Sequence, residues 1–167
     1  MTHSIEIAKC SSESDFARAV NLTRDYVAWL GIDLSFQDID EELSSFPSMY
    51  GPPDGLFLLA WVGGDLVGGV GLRPLEPRVC EMKRLFVYDR FRGARIGGRL
   101  CTALIDEARR LGYEAMRLDT LGRMKTAIRL YEDLGFREIG PYRFNPDPTA
   151  RYMELSLGPS SDFAKLL

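Results

Sequence analysis

Leu85-Phe86-Val87-Tyr88, followed by Arg92-Gly93-Ala94-Arg95-Ile96-Gly97-Gly98, decides how this chain folds. The first part is an apolar run with the character of a strand's end. From Ile96 onward apolar residues recur at Leu100, Ala103, Leu104, Ala108 and Leu111, the spacing of an amphipathic helix. The glycines and arginines therefore fall where a helix begins. A helix N-terminus carries unpaired N–H groups and a partial positive charge, which suits a phosphate. Gly93 and Gly97 let a ligand approach the backbone closely. Read alone, the loop is built for an anion such as a pyrophosphate, although glycines also end strands and pack helices against sheets. No Gly-Lys-Ser/Thr closes it and no Gly-x-Gly-x-x-Gly runs through it. Neither a nucleoside-triphosphate loop nor a dinucleotide fingerprint is present.

A second segment, Ala127-Ile128-Arg129-Leu130-Tyr131-Glu132-Asp133-Leu134-Gly135-Phe136, lies about thirty residues further on. With both segments in this order, the chain resembles the GNAT superfamily of acyl-CoA-dependent N-acetyltransferases. Their pyrophosphate loop reads Arg/Gln-x-x-Gly-x-Gly/Ala at the start of a helix, and their later helix reads Ala-x-x-Leu-Tyr-x-x-x-Gly-Phe. Arg92, Gly97, Ala127, Leu130, Tyr131, Gly135 and Phe136 match, and the likeness covers roughly residues 55 to 157. There are two departures. Arg95 stands where the family usually has a middle glycine, and Met124 where many members have an asparagine.

The resemblance implies an α/β (α+β) fold: a mixed, mostly antiparallel sheet flanked by helices and splayed near Val87 to admit coenzyme A. It implies acetyl-CoA as co-substrate and no metal. Backbone groups of Leu85, Phe86 and Val87 would pair with the pantetheine arm. The pyrophosphate would rest on the N–H groups of Gly93, Ala94, Arg95, Ile96, Gly97 and Gly98, helped by Arg92. Residues 1–157 would form one acetyltransferase domain, with 158–167 as a tail.

Acyl transfer to an amine needs a held thioester, a neutral amine, a stabilised oxyanion and a proton for the departing thiolate. A backbone N–H of the Leu85–Val87 strand would serve the oxyanion. Tyr131 is the candidate general acid, since a phenol with a pKa of about 10 stays protonated at neutral pH. Its alternative is a core aromatic on an amphipathic helix. Glu81 is the candidate base. By period-two alternation it shares a strand face with Lys83, Leu85 and Val87, and some family members place a catalytic glutamate near this position. An alkylammonium with a pKa of about 10.4 must lose its proton before attack. Glu81 could instead form a salt bridge to Lys83 or Arg84; Asp119 is the rival base, and many family members use no single base.

For the acceptor, Trp29, Phe36, Tyr50, Tyr142 and Phe144 offer aromatic surface. Asp33, Asp38, Asp40, Glu41 and Glu42 offer negative charge. A small amine or a peptide fits this; the sequence does not choose between them. A non-catalytic CoA-sensing domain would keep the phosphate loop and lose the acid. An interaction scaffold would need neither motif.

Composition sets the frame. The chain has 167 residues, 46% of them hydrophobic, enough for one core. No apolar run reaches membrane-spanning length, and no signal peptide is visible at Met1-Thr2-His3-Ser4. Cys10, Cys80 and Cys101 are scattered, which fits a reducing cytoplasm and neither a disulfide framework nor a zinc site. The single histidine, His3, argues against a Ser-His or Cys-His machine. The net charge of −3 argues against nucleic acid. Residues 1–55 carry ten acids and three bases; residues 73–143 carry ten acids and sixteen bases. The basic part suits the phosphates of coenzyme A. A homodimer is left open.

The coarse pattern alternates strands and helices. Strands are expected at 5–8, 56–62, 66–72, 79–87, 115–120, 136–139 and 151–157. Helices are expected after Ser12 up to Gly31, after Ser35 to about Phe46, from Gly97 to Gly112 and from Met124 to Leu134. Ser12/Asp15 and Ser35/Asp38 read as capping pairs, and Gly63-Gly64 as a two-residue hairpin turn.

Overall fold

The computed structural model describes residues 4–35, 38–93 and 95–158. His3, Phe36, Ala94 and the tail beyond Gly158 lie outside the described residues. Strand β1 (Ile5–Lys9) leads into helix α1 (Glu13–Leu30). Ser12 caps that helix as expected. Its hydroxyl accepts from Asp15 N at 3.1 Å, while the Asp15 carboxylate accepts from Ser12 N at 3.2 Å. Gly31, at φ 69°, ends it in the left-handed conformation.

The second capping pair does not form. Helix α2 (Ile39–Ser44) starts after Asp38, which sits at φ 54° and makes no side-chain cap. Ser35 instead donates its N–H to Asp33 Oδ1 at 2.8 Å, a local turn that competes with capping. A short helix α3 (Phe46–Met49) follows, running past the point near Phe46 where the expected helix ends; Pro47 sits in its first turn, where its missing N–H costs nothing.

Strands β2 (Leu56–Val62) and β3 (Asp65–Glu76) pair antiparallel, with Val62 opposite Asp65. Gly63 and Gly64, at φ 58° and 86°, make the expected turn, which needs two left-handed residues. β3 runs to Glu76 rather than stopping at Leu72. Strand β4 (Val79–Val87), helix α4 (Ile96–Arg110), strand β5 (Ala115–Thr120), helix α5 (Lys125–Asp133) and strands β6 (Arg137–Ile139) and β7 (Arg151–Ser156) complete the chain. The seven strands form one sheet in the order β1-β2-β3-β4-β5-β7-β6. β1–β2, β2–β3, β5–β7 and β6–β7 are antiparallel, whereas β4–β5 is parallel. This is the mixed, mostly antiparallel, helix-flanked sheet that the sequence implies.

Two compact units share the chain. One holds Met1–Arg73 and Lys83–Leu104; the other holds Pro74–Met82 and Ile105–Leu167. The first unit is built on aromatics. Phe46 lies 4.6 Å from Tyr50 and 5.1 Å from Phe57 between ring centres, within the range of favourable ring pairs. The second buries Met116, Leu118, Ile128, Tyr131, Phe136 and Met153. Cys10, Cys80 and Cys101 are buried and form no disulfide, and burial pushes each thiol up to about 12. Among the described residues no helix is long and apolar enough to cross a membrane.

Candidate active site

β4 does not run straight. Arg84 sits inside it at φ 62°, a left-handed conformation that costs an L-residue about 1–2 kcal/mol. Its buried side chain explains why it stays there. Nε donates to Glu42 Oε2 at 2.8 Å and Nη2 to Glu42 Oε1 at 2.9 Å, a two-pronged pair with both partners almost wholly buried. Burial alone would raise the Glu42 carboxyl; the hydrogen bonds and charge of Arg84 outweigh it and hold the group below its ordinary value. Glu42 is therefore a scaffold ion, not the open negative charge for an amine that the sequence suggests. Tyr50 is likewise core, fully buried. Its hydroxyl meets no hydrogen-bond partner among the described residues, and burial pushes its phenol pKa up.

Beyond the kink lie Leu85, Phe86 and Val87. Leu85 and Val87 are half-buried; the Phe86 ring is buried and packs on Tyr26, Trp29 and Tyr88 at 5.6, 5.7 and 5.1 Å. A Cβ at Gly68 of β3 would stand 2.7 Å from the Phe86 carbonyl oxygen, so only glycine permits this approach of the backbones. Phe86, Trp29, Tyr88, Leu66, Asp25 and others line a cavity of about 580 Å³. Tyr88 donates its hydroxyl to Asp25 Oδ2 at 2.6 Å, and burial, then Asp25, pushes that phenol up to about 12. Of these residues, sequence reasoning placed Phe86 in the cofactor site and Trp29 on the acceptor side, and passed over Asp25, Leu66 and Tyr88.

The expected phosphate loop follows a single 3-10 turn, Asp89–Phe91. Gly93 is at φ 86° with nothing within 4 Å of where a Cβ would be. Arg95 is at φ 62°, the conformation that the family's usual glycine would adopt without strain. Both are exposed, and Gly97 and Gly98 are half-buried in the first turn of α4. Ile96, Leu100, Cys101 and Leu104 turn inward, leaving the N-terminal backbone of α4 held from behind. Ala94 lies outside the described residues. Arg92 braces the loop itself. Its Nε donates to the Val87 carbonyl at 3.1 Å, its Nη1 is 3.0 Å from Asp89, and its guanidinium lies 4.4 Å over the Trp29 ring.

In the second unit Tyr131 is buried on α5, its ring 5.8 Å from Phe136, so the two aromatic members of the second motif touch. Gly135 between them adopts φ 104°. Met124 precedes α5 and makes no side-chain cap, which an asparagine could have made.

Glu81 is fully buried and both its oxygens are engaged. Tyr142 Oη donates to Oε2 at 2.6 Å and Arg143 Nη2 to Oε1 at 2.7 Å. These partners lie about sixty residues away in sequence. Burial first, then the charge of Glu81, raises the Tyr142 phenol pKa. Tyr152 donates its hydroxyl to the Arg143 carbonyl at 3.1 Å and its ring meets Tyr142 edge-on at 5.6 Å. Asp119, at the end of β5, accepts from Asn145 Nδ2 at 3.3 Å. Phe144 points outward and is largely exposed.

The family model described as Acetyltransferase (GNAT) family matches residues 22–136. An uncharacterized N-acetyltransferase of Schizosaccharomyces pombe is 41% identical over 138 residues, covering 81% of this chain and 85% of that protein. A GNAT-family acetyltransferase of Staphylococcus aureus superposes with a TM-score of 0.76 at 23% identity, covering 92% of this chain and 99% of the other. The PaiA N-acetyltransferase of Thermoplasma acidophilum, solved in complex with coenzyme A, superposes with a TM-score of 0.69 at 22% identity, covering 92% and 99%. The chain belongs to the GNAT acetyltransferase family, and with it to the acyl-CoA-dependent N-acetyltransferases.

Proposed function

We propose that this chain transfers an acetyl group from acetyl-CoA to a primary amine, small molecule or peptide, by direct attack in a ternary complex. The observation that carries the reading is the loop between β4 and α4. Gly93 and Arg95 are both left-handed and exposed just ahead of a fifteen-residue helix, whose N-terminus suits an anion. Arg90, Arg95 and Arg99 are exposed around it and add positive potential. In this reading the backbone from Gly93 to Gly98 holds the pyrophosphate. Arg92 contributes by fixing the loop's shape. The residues fit the group: Gly93 leaves open space beside the backbone, and Arg95 already holds the conformation a phosphate cradle needs.

The strand Leu85–Val87 supplies backbone groups to the pantetheine arm and an N–H to the developing oxyanion. A preorganised donor there is worth about 3 kcal/mol in the barrier. Tyr131 is the general acid in this scheme. Glu81 and Asp119 are the two carboxylates on the acceptor side. Glu81 as base would have to exchange a bond to Tyr142 or Arg143 for one to the amine or a bridging water. Residues 1–157 are read as one acetyltransferase domain, and three buried thiols outside any disulfide suit a cytoplasmic setting.

Thermal shift with acetyl-CoA, CoA and ATP tests the loop. CoA at a hundredfold excess over Kd should add about 2.7 kcal/mol of stability. A shift with ATP and none with CoA would move the reading to a nucleotide-binding protein. Tyr131→Phe tests the acid: kcat should fall by roughly 10²–10⁴ with the acetyl-CoA KM little changed. Unchanged kcat with a lowered Tm would leave Tyr131 as core. Tight CoA binding without turnover of any amine would mark a sensing domain.

A further inference from the structure

Glu81 sits at the last paired position of the parallel β4–β5 ladder, opposite Arg117. In sheets containing parallel strands, ligands gather where neighbouring strands stop pairing, towards their carboxyl ends. The segment joining β6 to β7 is tied down around that point by four bonds. Tyr142 and Arg143 hold Glu81, Asn145 holds Asp119, and Thr149 Oγ1 accepts from Gly122 N at 3.1 Å. The last tie depends on glycine, because a Cβ at Gly122 would stand 2.8 Å from Thr149 Cβ and 3.0 Å from its carbonyl oxygen.

The chemistry of Glu81 is that of a clamp. A base must offer a lone pair to the substrate, yet each carboxylate oxygen here already accepts a short bond from a donor of its own chain. Arg143 adds a second observation. Its Nε is buried and has no hydrogen-bond partner among the described residues. An arginine kept only for structure has its buried donors satisfied. One held by Glu81 through Nη2, with Nε left over, suits a donor aimed at a ligand's oxygen.

We propose that Glu81 is a positioning residue: through Tyr142 and Arg143 it fixes the 140–150 segment as the wall that binds the acceptor, and it does not itself remove the acceptor's proton. The proposal rests on the acetyltransferase reading above. Its consequence is a division of kinetic effects. Loosening the clamp should weaken acceptor binding, whereas losing a base should slow the chemical step and alter the pH profile.

The test compares Glu81→Gln with Tyr142→Phe in the full chain. The amine is the one turned over fastest among L-aspartate, spermidine, tryptamine and an alanyl-terminated peptide. Both variants should raise the acceptor KM by roughly tenfold or more, with kcat within about threefold and the acid limb of the pH profile kept. The double variant should be no worse than Glu81→Gln alone, since the Tyr142 hydroxyl acts through its bond to Glu81. Amide exchange across 140–150 should speed up in both variants, a readout that needs no acceptor. A kcat loss of 10²–10⁴ and a vanished acid limb in Glu81→Gln, beside a near-normal Tyr142→Phe, would make Glu81 the base and overturn the proposal. Unchanged exchange at 140–150 in Tyr142→Phe would overturn it equally, including the case where Glu81→Gln does not fold. Should the wild type turn over none of the four amines and give no thermal shift with CoA, the acetyltransferase reading fails, while the exchange data still decide the clamp.

Discussion

Three residues apart on β4, two buried ion pairs are built in opposite senses. At Arg84 the strand supplies the cation and helix α2 supplies the carboxylate of Glu42; both side chains are at most 4% exposed. At Glu81 the strand supplies the carboxylate and an irregular segment supplies the cation of Arg143, which is 18% exposed, with the Tyr142 hydroxyl as a third partner. The first pair uses two parallel bonds between rigid elements. It holds a left-handed residue within a strand, and it looks inward. The second has a wetter cation with a donor to spare. A sealed pair serves the scaffold, while a pair left partly open serves a segment that must meet a ligand.

The largest effect should come from opening the sealed pair. Glu42→Gln leaves the Arg84 charge buried with its main partner neutralised, and should cost about 3–5 kcal/mol in urea unfolding. Replacing both partners, Glu42→Leu with Arg84→Met, should recover most of that loss, because no ion is then left stranded. A double variant as unstable as the single one would show that Arg84 matters through its backbone kink rather than its charge.

pH should separate the two pairs. The Glu42 carboxyl is held below its ordinary 4.5, so its contribution is present above that pH and is lost as pH falls through the folded-state value. Acid unfolding should therefore be less steep in Glu42→Gln. The Tyr142 phenol is raised above its ordinary 10, so its contribution is complete below pH 10 and is lost as pH climbs through the folded-state value. Stability of the wild type should thus fall faster than that of Tyr142→Phe above pH 10. Parallel alkaline curves for the two proteins would remove the hydroxyl from the clamp.

The smallest effects belong to the phosphate loop, where the conformation at two sites is the same and the residues differ. Gly93→Ala meets no neighbour and should cost only the left-handed conformation, about 1 kcal/mol. Arg95→Gly should gain a fraction of about 1 kcal/mol of stability and lose CoA affinity with the charge. A gain in both would mean that Arg95 does not face the phosphates.

What could be read from the sequence was whatever neighbours along the chain decide. The Ser12–Asp15 box, the Gly63-Gly64 turn and the amphipathic run from Ile96 all depend on contacts within a few residues, and all appear as read. The Ser35–Asp38 pair has the same spelling as the first box, but Asp33 captures Ser35 and the pattern fails. Glu81's partners were illegible for another reason. Alternation along β4 shows which residues share a face and says nothing about which distant segment arrives there, so Arg143 and Tyr142 carried no local signal. Glu42 read as open negative charge for the same reason, since its mate lies forty-two residues on. Arg95 was legible as an oddity, and its positive φ gives that oddity a cost.

The three buried thiols have a practical consequence. Each is shielded from solvent and raised to about 12, so at pH 8 very little thiolate exists on the folded protein. A chromogenic disulfide reagent added to the working enzyme will therefore report the CoA set free at each turnover over a low and steady background. The same reagent, in the absence of substrate, becomes a clock for global opening, because Cys10, Cys80 and Cys101 colour it when the chain unfolds.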